Sequence, residues 1–325
     1  MKKVSNTMID VAVLIPCYNE SKTIEKVILD FKNAVPEAYI FVYDNNSTDG
    51  SVEIIERNVC DRVIFRREYM QGKGNVVRRM FQEIDAKCYV LVDGDDTYPS
   101  NSALKMIDFV NNKMSDMVIG DRLSTTYYTE NKRQFHNFGN KIVKLMINKV
   151  FKSNILDVMS GYRAFSYRFV KSFPIISRGF EIETEMTIFA IDKNFKIDSV
   201  EIEYRDRPSG SESKLSTVSD GFKVIFTIIK LFSMYRPLVF YGMISLVLAL
   251  IATILFIPII NTFVLTGLVP KFPTLVVLTS FYILAIQLFT TGLILETMNL
   301  KNKQDFEFEL KKIIYRFTEA SNSDI

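Results

Sequence analysis

The segment Val90–Pro99, VLVDGDDTYP, sets Asp93, Asp95 and Asp96 within four positions directly behind an apolar run. Carboxylates at i and i+2, here Asp93 and Asp95, can share Mg2+ or Mn2+ with phosphate oxygens, because these hard ions prefer oxygen and need few ligands from the protein. Such a cation, together with Arg or Lys donors, stabilises the charge that builds on a diphosphate as it leaves. The same letters also describe a solvated turn, since Asp, Gly and Pro all form turns. Company strengthens the metal reading. IPCYNE (15–20) and VYDNNSTDGS (42–51) repeat the arrangement of a polar cluster behind an apolar run. Other chemistries lose ground by the same inspection. No glycine-rich dinucleotide fingerprint follows the first apolar run, and GKGN (72–75) lacks the spacing of a P-loop. A single histidine, His136, leaves no His-based metal site or triad.

These clusters need elements to position them. Apolar runs of four to six residues, VAVLI (11–15), YIFVY (39–43), RVIF (62–65), YVLV (89–92) and MVIG (117–120), alternate with helical patterns such as SKTIEKVILDFKNA. That alternation is the mark of βαβ units and predicts an α/β, Rossmann-like domain with a mostly parallel sheet covered on both faces. The polar clusters then lie at the C-terminal ends of successive strands, the edge where open α/β sheets bind ligands.

The composition changes near residue 236. Leu238–Ile260 and Thr274–Leu295 carry no charge, and each exceeds the roughly 20 residues that cross a bilayer core. Lys223, Lys230 and Arg236 precede the first span. Lys301, Lys303, Lys311, Lys312 and Arg316 follow the second, while the loop between them holds only Lys271. This bias predicts a multi-pass protein of the plasma membrane with both ends in the cytoplasm. The expected organisation is a cytoplasmic domain over 1–215, an interfacial amphipathic region over 216–236, two spans over 237–296 and a tail over 297–325, frayed from about Ser321. A net charge of +3 with interspersed acids and bases argues against nucleic acid. Cys17, Cys60 and Cys88 are odd in number and form no CxxC, so neither a disulfide framework nor a zinc site is expected. The start, MKKVSNTMIDVAVLIP, holds too short an apolar run for a signal peptide.

With IPCYNE, VYDNNSTDGS, MQGKGNVVR, VLVDGDDTYP and VIGDR in that order, residues 11–122 resemble family-2 glycosyltransferases with a GT-A fold. Over residues 11–235 the chain resembles their polyprenyl-phosphate branch, which includes dolichyl-phosphate mannose synthase and bacterial undecaprenyl-phosphate sugar transferases, and its two-helix C-terminus is similar in kind to that of the bacterial members. The resemblance implies that Pro16, Tyr18 and Glu20 contact the nucleotide, that Asp44 reads its base, and that Asp93 and Asp95 form the DxD element. It implies that Arg122 faces the reacting phosphates, and that Arg133 and Asn137 grip the lipid phosphate. VMSGYRAF (158–165) resembles a loop lining the site, with Arg163 as a further phosphate contact. YRDRPSGSESKL (204–215) resembles an element closing over the diphosphate through Arg207 and Lys214.

Elementary chemistry agrees with that assignment. A phosphate monoester, with its second pKa near ~6, is already largely ionised at neutral pH, so it needs cations rather than a general base. Arg122 and Arg133 offer the fork geometry suited to it. The expected reaction is an inverting transfer from a nucleotide-sugar, UDP-linked by preference, to undecaprenyl phosphate, supported by Mg2+ or Mn2+. GDP-mannose as donor and a hydroxyl acceptor in polysaccharide synthesis remain the alternatives within the enzyme class, and a degenerate membrane-anchored scaffold is the alternative outside it. Homo-oligomers are compatible with the sequence. Glu181, Glu183 and Glu185 in GFEIETEMT read either as a solvated face, the favoured reading, or as including a catalytic base or an acceptor contact, and Lys73 between two glycines reads either as a phosphate contact or as a solvated lysine.

A cysteine introduced into the loop at 261–273 of an otherwise cysteine-free chain should react with an impermeant thiol reagent added outside intact cells, and one at Ser321 should not. The reverse labelling pattern would overturn the cytoplasmic assignment of the first domain.

Overall fold

Burial on both faces explains why the strand sequences are continuous apolar runs rather than alternating ones. In the first strand, β1 (Ile9–Cys17), the five residues Val11–Ile15 are all buried. The structure, a computed structural model, describes residues 8–122, 144–145, 147–149, 151, 153–179, 181–205, 226 and 229–322. Arg133, His136, Asn137, Arg207 and Lys214 lie outside the described residues, as does most of the expected interfacial region.

The chain forms two units, Met1–Ile228 with Phe308–Ile325, and Ile229–Glu307. In the first, β1, β2 (Tyr39–Asp44), β3 (Val63–Arg67), β4 (Ala86–Leu91), β5 (Met117–Asp121), β6 (Arg163–Ser166) and β7 (Ile197–Glu201) make one sheet in the order β3-β2-β1-β4-β6-β5-β7. All pairings are parallel except those of β6, which runs against both β4 and β5. Two reversals cancel, so β5 and β7 point the same way as β1–β4. The C-terminal ends of these six strands, and the N-terminal end of β6, therefore share one edge. Register fixes who meets whom there: Cys17 lies opposite Asp44, and Asp44 opposite Arg67. The mostly parallel sheet expected from the alternation of runs is what forms.

Helices α1 (Ile24–Ala34), α2 (Ser51–Asn58), α3 (Lys73–Glu83) and α4 (Ser102–Asn111) connect the strands, followed by α5 (Tyr167–Ser172) and α6 (Ile182–Asp192). In α1 the apolar residues Ile24, Val27, Ile28 and Phe31 recur at i, i+3, i+4 and i+7, and all four are buried against the sheet. Helix α6 is buried along nearly its whole length, its acids included.

The start of α3 depends on two glycines. Gly72 has φ +124°, and a Cβ on it would come within 2.2 Å of the Arg178 carbonyl oxygen. A Cβ on Gly74 would come equally close to the Ser177 carbonyl oxygen. The backbone of 177–178 thus lies directly on α3, and the Gly74 amide donates to Arg178 O at 2.9 Å. Glu185 holds the same loop, accepting from the amides of Ile176 and Ser177 at 3.0 and 2.9 Å.

The second unit contains α7 (Pro237–Thr266) and the first part of α8 (Phe272–Asn322). Both are long and apolar enough to cross a membrane. Their apolar side chains are largely exposed, with Leu246 at 60%, Ile254 at 64% and Ile286 at 65%. An apolar surface of that extent belongs against lipid rather than water. Between the two helices, Ser245 donates to the Ala285 carbonyl at 2.7 Å, and Gly292 lets Tyr241 and Leu238 approach closely, the small-residue contact that membrane helices favour.

Gly74→Ala should destabilise the first unit by about 1–3 kcal/mol, because backbone rather than a movable side chain blocks the added methyl. Gly242→Ala, which meets nothing within 4 Å, should leave the melting temperature unchanged. Thermal unfolding of the two variants checks this.

Candidate active site

The acid turn behind β4 is held at each of four consecutive residues. Asp93 Oδ1 accepts from Lys73 Nζ at 2.5 Å, and the Gly94 carbonyl accepts from Thr23 Oγ1 at 2.7 Å. Asp95 Oδ1 accepts from the amide and hydroxyl of Thr97 at 3.2 and 2.6 Å. Asp96, in the left-handed region at φ 57°, meets Lys26 Nζ at 2.6 Å. The turn is therefore tied both to the β1–α1 loop and to the start of α3.

Lys73 is buried rather than solvated. Its side chain is 7% exposed and lies between Asp93 and Glu183, whose Oε1 it reaches at 2.7 Å. Burial alone would depress the ammonium, but the charges of Asp93 and Glu183 outweigh burial and raise its pKa above the usual lysine value. Burial raises the Glu183 carboxyl pKa against the pull of Lys73, and the neighbouring charge of Asp93 adds to the rise.

Arg122 follows β5 at the same edge. Asp157 accepts from its Nε at 2.8 Å and from its Nη2 at 3.1 Å, a two-pronged contact that fixes the guanidinium plane. Nη1 lies 3.4 Å from Tyr98 Oη, and the cation sits 5.6 Å from the centre of the Tyr204 ring. Tyr98 Oη also accepts from the Gly161 amide at 3.1 Å, which links Arg122 to the strand entering beside Asp93.

At the ends of β1 and β2 the loops interlock. Asp44 is 2% exposed and accepts from the Ser47 amide, and Glu20 is buried with its amide donating to Ser51 Oγ. Pro16 is half-buried, and Tyr18, 38% exposed, stands at the rim. Asn45 accepts from the Gly72 amide at 2.7 Å and donates to the carbonyls of Glu68 and Met70, so it stitches β2 to the approach to α3. The structure thus gathers Pro16, Tyr18, Glu20, Asp44, Asp93, Asp95 and Arg122 at one edge. Arg205, whose amide donates to Thr97 O at 3.1 Å, starts the segment that contains Arg207 and Lys214 from beside the acid turn.

Three expectations change. Arg163, expected at the acceptor phosphate, has no exposed surface. Its guanidinium donates to the carbonyls of Ser160 and Val158 at 2.9 and 2.6 Å and to Thr187 Oγ1 at 2.9 Å, and burial lowers its pKa to about 10. It braces the turn before β6. Glu183 and Glu185 are 5% and 4% exposed rather than on a solvated face, because α6 passes beneath the site and each acid finds a donor there. Lys73 is a buried ion-pair partner. Asp157, Tyr98 and Asn45 were missed. Asn45 sat in view within the quoted polar cluster, whereas nothing in sequence ties Asp157 to Arg122, 35 residues away.

Asp93 and Asp95 fit a divalent cation. A Cβ at position 161 would lie 2.5 Å from Asp93 Oδ2, so only a residue without a side chain lets this carboxylate sit beside the strand, where Lys73 holds Oδ1 and the Asp93 side chain keeps 27% exposure. Among the described residues no three His, Cys, Asp or Glu side chains are grouped to hold an ion alone, and an ion on two carboxylates would fill its shell with water and phosphate oxygens.

Comparison with known proteins agrees with this geometry. Residues 12–173 match the family described as Glycosyl transferase family 2. The glycosyltransferase AglJ of Haloferax volcanii is 32% identical over 233 residues, 71% of this chain and 75% of that protein. A dolichyl-phosphate hexose transferase of the same organism is 27% identical over 69% of this chain and 94% of its own. Among solved structures, glucosyl-3-phosphoglycerate synthase from Mycobacterium tuberculosis with UDP has a TM-score of 0.57 at 18% identity, covering 69% of this chain and 80% of that one. The same enzyme has been crystallised with Mn2+, UDP and phosphoglyceric acid. The likeness in structure establishes the GT-A fold.

If Arg163 braces the β6 turn, Arg163→Met should cost about 2–4 kcal/mol of stability by stranding two buried carbonyls, with the Michaelis constant for acceptor unchanged in the folded fraction. A stable variant with weakened acceptor use would return Arg163 to the phosphate.

Proposed function

The chain belongs to glycosyltransferase family 2, and on that premise we propose that it transfers a sugar from a nucleotide-sugar, UDP-linked, to polyprenyl phosphate at the cytoplasmic face of a membrane. The observation that carries this reading is the acid turn Asp93–Asp95 on the same sheet edge as a buried, two-pronged Arg122. One sign of charge suits a metal-bound diphosphate, and the other suits an anionic acceptor. The exposed apolar helices α7 and α8 and the relative named as a dolichyl-phosphate hexose transferase favour a lipid acceptor over a soluble one.

In the proposed reaction an acceptor phosphate oxygen attacks the anomeric carbon from the face opposite the diphosphate. The bond from that carbon to the diphosphate oxygen breaks, and the electron pair leaves with the nucleotide, which inverts the centre. The acceptor is already ionised, so no proton has to be removed. Arg122, held rigid by Asp157 and Tyr98, orients the acceptor phosphate, and Arg133 and Asn137 are proposed beside it. Pro16, Tyr18, Glu20 and Asp44 bind the nucleoside, while Arg207 and Lys214 are proposed to close on the diphosphate. Asp93 and Asp95 would hold Mg2+ or Mn2+, which would supply positive charge to the leaving group. A hydroxyl acceptor would instead need a base, and the buried acids near the turn are engaged: Glu183 by Lys73, and Asp157 by Arg122.

Purified protein incubated with undecaprenyl phosphate, Mn2+ and a panel of nucleotide-sugars should give a lipid-linked sugar, identified by mass, from a UDP-hexose or UDP-N-acetylhexosamine. EDTA or Asp95→Asn should lower the rate on the order of 100-fold or more. A product from GDP-mannose alone would move the donor assignment. Faster glycosylation of a free alcohol than of polyprenyl phosphate would defeat the acceptor assignment.

A further inference from the structure

The Lys73 ammonium contacts an oxygen of the very carboxylate that the proposed mechanism gives to the metal. We infer that Lys73 is an internal cation that fixes Asp93 and sets how strongly the acid turn takes a divalent ion, with Glu183 as the counter-charge that keeps Lys73 from neutralising Asp93. This inference rests on the metal reading of Asp93 and Asp95 and extends it to two positioning residues.

Three observations carry it. The first is geometric: Lys73 holds Oδ1 of Asp93 at 2.5 Å, Gly161 keeps any side chain off Oδ2, and the Asp93 side chain stays 27% exposed. The carboxylate is anchored without being closed off. The second is the fixed backbone beneath the lysine. Gly72 and Gly74 seat residues 177–178 directly on α3, and Glu185 ties that loop down, so Lys73 springs from a rigid point at the mouth of α3. The third is the orphaned oxygen of Glu183. Its Oε1 meets Lys73, yet its buried Oε2 has no hydrogen-bond partner. A buried carboxylate oxygen left without a hydrogen-bond partner is unfavourable for folding. The negative charge itself is what this position supplies.

Charge counting then gives the direction of each effect. One ammonium faces two carboxylates, so the group of three keeps a net charge of about −1 when all are ionised. That residual charge is what attracts a metal. Without Lys73, two uncompensated carboxylates stand at the site and attract a cation more strongly, although Asp93 loses its anchor. Without the Glu183 charge, Lys73 is spent wholly on Asp93, and the attraction weakens. A scaffold role for either residue predicts only lost stability in both variants.

The test uses the full-length protein in detergent and measures Mn2+ binding without nucleotide, from the electron paramagnetic resonance signal of free Mn2+. Lys73→Met should tighten binding and Glu183→Gln weaken it, each by about tenfold, and the double variant should return toward wild type. Turnover should fall in both single variants. Should Lys73→Met fail to fold, Glu183→Gln and Glu183→Asp carry the test, since only the aspartate should retain wild-type affinity. Mn2+ affinities that stay unchanged, or that shift in the same direction in both charge variants, would overturn this inference while leaving the metal reading intact. A wild-type protein that takes up no Mn2+ with or without UDP would overturn the metal reading, and this inference with it.

Discussion

Parallel pairing of β1 with β2 and β4 is the constraint on which the site depends. Hydrogen bonding in this register puts Cys17 beside Asp44 and carries β4 to its end one strand away. Residues some 75 positions apart thereby become neighbours, because the strands point the same way and the chain must leave each at one edge. The antiparallel β6 extends the effect rather than breaking it. It enters the sheet at that edge, bringing Gly161 beside Asp93, and the preceding Asp157 grips Arg122. The sheet edge is thus both a topological necessity and the place where the polar residues accumulate.

That accumulation is balanced by donors. Asp93, Asp95, Asp96, Glu183 and Asp157 would repel one another if they were merely adjacent, yet each meets a donor: Lys73 serves both Asp93 and Glu183, Thr97 serves Asp95 from within the turn, and Lys26 and Arg122 reach Asp96 and Asp157. Donors and acceptors of this kind add little net stability when paired and cost much when one partner is lost. The apolar core formed by β1, β2, β4, α1 and α4 supplies the stability that such an edge does not.

Much of this was legible in the sequence, for physical reasons that also mark where reading stops. Strands β1, β2, β4 and β5 announced themselves because a strand buried on both faces is largely apolar, whereas β3, at the sheet edge, showed only the apolar start of VIFRR. RAFS and IDSVE, which form β6 and β7, are four and five residues long and mixed in polarity, so no periodicity marks them. The DxD pair was visible because its chemistry is local. Asp157, Tyr98 and Glu183 act through partners distant in sequence, and only the fold discloses the pairing. The acids of α6 were misread as solvated because spacing along a helix tells which residues share a face, not whether that face meets water or Lys73. Arg163 was misread for a related reason. An arginine beside a glycine-containing loop carries the same letters whether it serves a ligand or the backbone carbonyls behind it.

The tethering of the acid turn has a consequence for ion choice. Four consecutive residues are fixed by Lys73, Thr23, Thr97 and Lys26, so the carboxylates of Asp93 and Asp95 have little freedom to spread. Ca2+ takes about six to eight oxygens in a loose, adjustable cage, whereas Mg2+ keeps most of its waters and asks for one or two well-placed carboxylates. A stiff turn with two acids is poorly shaped for the larger ion and well shaped for the smaller ones. On the proposed metal reading, that rigidity would act as a size filter built from hydrogen bonds to the protein rather than to the ion.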